Sequence, residues 1–140
     1  LIITPVLFIN TYDAGPPGLL DVVGVTVWLL GFVFESVGDW QLDRFIKVPD
    51  NRGKVMDQGL WRYSRHPNYF GEVMMWWGIY LLALSVPWGW ITIIGPLTIT
   101  TIILFVSGIP MTERFMEDNP VFADYKRRTS VFIPWFPKKD

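Results

Sequence analysis

Apolar and polar residues along this chain alternate in long blocks rather than in short periods. Residues 1–10 are apolar, residues 11–18 form a polar break holding Gly15, Pro16, Pro17 and Gly18, and residues 19–38 are apolar again. A membrane-spanning helix takes roughly 20 apolar residues, so the first block reads as the end of a helix that starts upstream. The second block is long enough to cross. A polar stretch covers 39–70, and its 48–58 part, with Pro49, Asp50, Asn51, Gly53 and Asp57, has the composition of a surface loop. Residues 73–86 resume an apolar helix. Pro87, Trp88, Gly89 and Trp90 then predict a tight turn with tryptophans at a headgroup belt. Residues 91–109 form a last span, with Gly95 and Pro96 as an expected kink, and the chain turns polar after Pro110.

The expected fold is therefore all-α: an integral membrane helical bundle of three to four transmembrane helices. It forms a single membrane domain over 1–140, with loop 39–70 and tail 110–140 closing over a site. The chain begins inside an apolar run with no basic leader, so the expectation is the C-terminal part of a longer protein.

Composition supports the membrane reading, since 51% of the residues are hydrophobic, eight are Trp and only 18% are charged. The formal net charge of −1 hides a segregation, because no Lys or Arg precedes Arg44 or falls between Arg65 and Arg114. By the positive-inside rule, loop and tail share the cytosolic side. There is no Cys and one His, which excludes a disulfide framework and a thiolate or multi-histidine metal site. Metal ligands are accordingly not expected, nor is nucleic acid; a lipophilic small molecule and membrane lipids are.

The chemistry concentrates in residues 59–72. Pro67 suits a first helical position, since its φ is preset and it lacks an N–H that would be wasted there. Arg62 and Arg65 stand just outside that positive helix end, where guanidiniums can bind phosphate or carboxylate oxygens. Asn68, Glu72 and Trp76 follow at intervals of four and share a face. A carboxylate at the centre of a bilayer costs about 2.5–3.5 kcal/mol, and such groups usually face a cavity or partner. Glu72 is thus either a hydrated boundary residue or a site residue.

Glu35, Asp39 and Asp43 make an acidic stripe, either solvated or accepting hydrogen bonds from a nucleotide. His66 could be a general acid, a phosphate or ribose contact, or a helix cap. Tyr125 with Lys126, Arg127 and Arg128 could form a headgroup-binding tail or one wall of a nucleotide pocket.

The segment Arg65-His66-Pro67-Asn68-Tyr69-Phe70-Gly71-Glu72, preceded by Gly59-Leu60-Trp61-Arg62-Tyr63, resembles the C-terminal domain of the steroid 5α-reductase family, particularly its bacterial branch. The similarity continues through residues 39–45, 107–110 and 125–134, and covers most of the chain from Glu35 onward. The same superfamily holds the isoprenylcysteine carboxyl methyltransferases, which share the Arg-His-Pro core but bind S-adenosylmethionine.

The resemblance implies an NADPH-dependent membrane reductase. It would act on a carbon–carbon double bond conjugated to a carbonyl in a lipophilic, steroid-like substrate, in a bacterial inner membrane. Asn68 would contact the nicotinamide part of the cofactor, and Glu72 would hold the substrate carbonyl as half of a proton-donating pair. Asp39 and Leu42 would line the adenosine side, and Arg114 and Tyr125 would close over it from the tail. The phosphates would sit among Arg44, Lys54, Arg62 and Arg65. Tyr63, His66 and Tyr69 complete the candidate cofactor set, and His66 stands with Glu72 as a candidate catalytic residue.

Two departures keep alternatives open. The reductases pair their Glu with a Tyr from the N-terminal half, whereas Tyr12 here falls on the opposite side of the membrane. In addition, Arg65-His66-Pro67 is the methyltransferase-like form of the motif. S-adenosylmethionine-dependent methyl transfer and non-catalytic lipid binding are therefore carried beside the reductase reading.

Overall fold

The computed structural model describes residues 1–13 and 15–138, so Ala14 of the expected turn and Lys139 and Asp140 of the expected tail lie outside the described residues. Among the described residues six α-helices follow in order: α1 Thr4–Thr11, α2 Leu19–Lys47, α3 Pro67–Ala83, α4 Ile94–Thr101, α5 Gly108–Arg114 and α6 Pro120–Arg128. No strand occurs among the described residues, and the single bridge joins Ser64 to Ser130. The protein is an all-α membrane bundle. Two helical stretches, Leu19–Lys47 and Gly89–Arg114, are long and apolar enough to cross a membrane. At 17 residues, α3 reaches only the lower limit of a spanning helix.

α2 begins where Asp21 Oδ2 accepts the Gly18 N–H at 2.7 Å, and it runs through the acidic stripe to Lys47. Its outward face shows Leu19, Val22, Leu30, Phe32 and Val33 to the surroundings. That suits lipid and would be unfavourable in water. Its inward face is built of glycine. Gly24, Gly31 and Gly38, seven residues apart, lie against Gly78, Gly71 and Asn68 of α3, so the two helices run antiparallel.

A Cβ on Gly71 would fall 2.4 Å from the Glu35 backbone nitrogen and 2.5 Å from the Gly31 carbonyl oxygen. Backbones in such direct contact leave no room for a side chain. Small residues permit this close approach where lipid supplies no hydrophobic drive between helices, and a strict seven-residue repeat keeps the contact facing its partner.

On the other side of α3, Val73 packs with Ile99, Ile103 and Ile109, and Tyr69, Trp76 and Trp77 cover that cluster. Trp77 Nε1 donates to Thr100 Oγ1 at 3.2 Å, which sets the register of α3 against α4.

Gly95 and Pro96, the expected kink, directly follow the change from a 3-10 helix at Gly89–Ile93 to α4. Both residues fall in the first turn of α4, where proline fits without breaking a hydrogen bond. A further irregularity lies at Ile102–Val106, a π-helical turn closed by the Ser107 N–H on the Ile102 carbonyl at 2.9 Å. Gly108 then sits so close to Ile103 that a Cβ would meet its carbonyl oxygen at 2.7 Å.

Candidate functional site

The residues from Gly59 to Glu72 are held by three elements. From α2, the Gln41 amide oxygen accepts the Leu60 N–H at 3.0 Å and the Gly38 carbonyl accepts Trp61 Nε1–H at 3.0 Å. From the tail, the Ser130 carbonyl accepts the Arg65 N–H at 2.8 Å, the Phe132 carbonyl accepts the Ser64 hydroxyl at 2.7 Å, and the Tyr63 carbonyl accepts the Trp135 N–H at 2.9 Å. From α6, the Tyr125 hydroxyl donates to the Trp61 and Ser64 carbonyls. Loop and tail are thus bonded into one body at the polar end of the bundle.

This placement changes the reading of Tyr125. It is buried, and its hydroxyl is spent on two backbone carbonyls. Burial pushes the phenol pKa well above its ordinary range, so the hydroxyl stays a donor. Tyr125 is a strut under the loop rather than a cofactor-facing group.

Arg65 and His66 also point inward, to a residue the sequence reading passed over. Glu113, buried near the end of α5, places Oε1 2.9 Å from Arg65 Nε and 3.1 Å from His66 Nε2, and Oε2 3.3 Å from Lys126 Nζ. The Arg65 Nε–H does not aim at the carboxylate and has no hydrogen-bond partner. That contact is an ion pair, while Arg65 Nη1 donates to the Lys126 carbonyl at 2.9 Å. Burial pushes the His66 pKa below its ordinary value, and the Glu113 carboxylate offsets this only in part. The neutral imidazole therefore donates Nε2–H to Glu113. Its ring stacks on Tyr69, whose hydroxyl meets Thr112 Oγ1 at 3.2 Å. His66 sits in a buried tie between α3 and α5, and it is 2% exposed.

Asn68 and Glu72 lie on the other face of α3, toward α2. Asn68 Nδ2 donates to Asp39 Oδ1 at 2.9 Å. The carboxylates of Glu35, Asp39 and Glu72 lie close enough to interact. Two acceptors here are buried with no partner, Asn68 Oδ1 and Glu35 Oε2. A buried acceptor without a donor costs about 1–3 kcal/mol, and a ligand with N–H or O–H groups would remove that cost.

Two cavities open at the loop and tail. One, of about 740 Å³, is lined by Asp57, Gly59, Arg62, Arg128 and Lys138 among others. The second, of about 410 Å³, has Arg65, Lys126 and Arg127 in its wall, and both cavities share Arg128, Thr129, Phe136 and Lys138. Glu72 lines neither of them.

The four cations expected around phosphates are not brought together. Arg62 faces the larger cavity and Arg65 the smaller. Arg44 lies over the Trp40 ring at 5.0 Å, and Lys54 is exposed on the loop. Their places are taken by Arg128 and Lys138. Leu42 is half-buried on α2, Tyr63 meets Phe136 edge to face, and Arg114 is exposed at the end of α5. Glu113 was findable by the reasoning applied to Glu72, since it too is an acid at the edge of an apolar helix. Arg128 and Lys138 carry no such signal, because their position depends on how the tail folds back.

Residues 1–129 match the family described as "Protein of unknown function (DUF1295)". The chain belongs to that family, which is steroid 5α-reductase-like. It is 29% identical over 112 residues to 3-oxo-5-alpha-steroid 4-dehydrogenase 1 of Bos taurus, covering 80% of this chain and 40% of the relative. The Mus musculus protein of the same name is 28% identical over 112 residues, covering 80% of this chain and 41% of the relative. The Homo sapiens protein is 36% identical over 64 residues, covering 46% and 25%. The chain thus matches about two-fifths of the length of the cow and mouse relatives. No solved structure matches.

Proposed function

We propose that this chain carries the cofactor half of an NADPH-dependent membrane reductase, which saturates a carbon–carbon double bond conjugated to a carbonyl in a lipophilic, steroid-like substrate. The observation that supports this best is the pair of unpartnered buried acceptors, Asn68 Oδ1 and Glu35 Oε2, beside Glu72 and the Asp39–Asn68 hydrogen bond. Acceptors of this kind suit a carboxamide or ribose hydroxyl. The larger cavity supplies Arg62, Arg128 and Lys138 for phosphate oxygens. Together these groups support a phosphorylated dinucleotide as the ligand of this reading.

When bound, NADPH supplies the hydride. The chain's own residues do the rest. Asn68, fixed by Asp39, would orient an amide-bearing ring at the polar end of α3. Glu72 presents a hydrogen bond or proton to the substrate's carbonyl oxygen, where negative charge develops. Arg62 and the tail cations anchor the phosphates. The stretch 39–70, which the structure divides into the end of α2, a connecting loop and the start of α3, lies with the tail on the cytosolic side of a bacterial inner membrane in this reading, where the reduced cofactor is available, while the substrate arrives from lipid.

The test is thermal stability of the detergent-purified protein with NADPH, NADH or S-adenosylmethionine. A ligand at 100 times its dissociation constant adds about 2.7 kcal/mol. A shift with NADPH that exceeds the shift with NADH is expected. A shift with S-adenosylmethionine alone would replace reduction by methyl transfer.

A further inference from the structure

The smaller cavity is not used in the proposed reaction, and its wall has a distinct chemistry. Arg65, Lys126, Arg127, Arg128 and Lys138 all line it, and no carboxylate does. The acids that pair with these cations do not line the cavity. Glu113 serves Arg65 and Lys126, Asp124 serves Arg127 and Arg128, and Asp57 serves Arg128. Five cations thus line the cavity, and four of them share three carboxylates among the described residues, which leaves the wall with an excess of positive charge. The Thr129 and Ser130 residues in the same wall add hydroxyl donors.

An apolar rim adjoins this basic floor. Trp135 and Phe136 line the cavity while remaining 70% and 76% exposed, and Val131 and Ile133 of the same strip are also exposed. Hydrogen bonds to the Tyr63 and Arg128 carbonyls and from the Ser64 hydroxyl pin this strip to the loop at the end of the bundle. A rigid segment showing Trp and Phe next to a cluster of Lys and Arg is suited to a membrane interface, with rings among the acyl chains and cations among the headgroups. The spans Leu19–Lys47 and Gly89–Arg114 bring lipid to the molecule.

We infer that this cavity binds the phosphodiester headgroup of an anionic phospholipid, with Trp135 and Phe136 against its acyl chains. A soluble phosphate would use the basic floor and leave the aromatic rim in water, so charge and apolar surface together favour the lipid. The wall shares Arg128 and Lys138 with the larger cavity of the reductase reading, whereas Lys126 and Arg127 line only the smaller one and so report on this site alone.

The experiment titrates the detergent-purified protein with phosphatidylglycerol, phosphatidylcholine and inorganic phosphate, reading lipid retention by native mass spectrometry and the thermal midpoint. Phosphatidylglycerol should be retained in preference to phosphatidylcholine. The double variant Lys126→Gln with Arg127→Gln should bind it about 30-fold more weakly, as expected when two cations each contribute roughly 1 kcal/mol near an anionic surface. Arg52→Gln, on the exposed loop, should leave retention unchanged.

Equal retention of the two lipids would overturn the inference, as would full retention by the double variant. A thermal shift of the same size with inorganic phosphate would overturn the lipid assignment. Should the double variant fail to fold, Arg127→Gln alone decides the matter. That side chain is 76% exposed and pairs only with Asp124 among the described residues, so a folded protein with unweakened binding would still refute the site.

Discussion

His66 Nε2 lies 3.1 Å from Glu113 Oε1, and this contact joins the first residue before α3 to the end of α5 through two buried side chains. The same carboxylate also neutralises Arg65 and meets Lys126. Removing it would leave a buried guanidinium without a counter-charge. Breaking such a pair from one side costs about 3–5 kcal/mol. Glu113→Ala should therefore lower thermal stability by that order, and Glu113→Gln by less, since the amide oxygen still accepts from His66. A thermal unfolding series would show this, and an unchanged Glu113→Ala midpoint would mean the three contacts are not coupled.

The buried imidazole also makes stability depend on pH. Its pKa is lowered in the folded protein relative to the ordinary value of 6.5, so between the two values the unfolded chain binds more protons than the folded one. Stability therefore rises with pH across that window. The His66 contribution is fully present above about 6.5 and is lost as pH falls through the folded value. His66→Gln should flatten the acid limb of a plot of thermal midpoint against pH just below neutrality. A steeper limb in the variant would reverse the sign and show that His66 is protonated in the fold.

The glycine seam predicts an unusual sensitivity to the smallest side chain. At Gly71 a methyl group would meet backbone atoms on two sides, and at Gly31 it would fall 2.6 Å from the Gly71 carbonyl oxygen. Neither backbone can yield without separating the helices. Gly71→Ala and Gly31→Ala should each cost at least the roughly 1–3 kcal/mol of core overpacking, although alanine is the better helix former. Ser36→Ala, exposed on α2, should be near neutral. Stability equal to wild type in Gly71→Ala would show that the helices tolerate a wider spacing.

Tyr125 and Arg62 separate support from ligand contact. Tyr125→Phe removes a donor from two buried carbonyls and should cost about 1–3 kcal/mol, while the stabilisation gained from NADPH persists. Arg62→Gln should do the opposite, leaving the unliganded midpoint nearly unchanged and weakening the response to NADPH about tenfold, the equivalent of about 1.4 kcal/mol. Loss of the NADPH response in a fully stable Tyr125→Phe protein would return that hydroxyl to the cofactor.

Much of this architecture is legible in the residue order. The polar break before Leu19, the helix start at Pro67 and the joining of loop to tail follow from block polarity, proline geometry and charge placement, while the turn expected at Pro87 to Trp90 falls at residues 84–88 and passes into a 3-10 helix at Gly89. The site was legible in part. Asn68, Asp39 and Glu72 stand out by spacing, and the structure gathers them with Glu35. Glu113 carries the same signal as Glu72, an acid at the edge of an apolar helix, but its partners Arg65, His66 and Lys126 are brought around it only by tertiary packing. Arg44 and Lys54 resemble Arg128 and Lys138 in chemistry, and which pair reaches a cavity depends on a tail that folds back over 60 residues onto the loop. The glycines at 24, 31, 38, 71 and 78 were in plain view, but their spacing acquires meaning only when two helices run antiparallel.

That spacing works as a vernier. Because α2 and α3 touch backbone to backbone, sliding one past the other by a single residue would drive side chains into peptide groups, and the next notch that fits is a full heptad away. Asp39 and Asn68 are therefore indexed to each other by the steric fit of glycines one and two heptads deeper in the bundle. The distance between these two polar groups is set by hard contact, as in a machined part, and is ready-made before any ligand arrives.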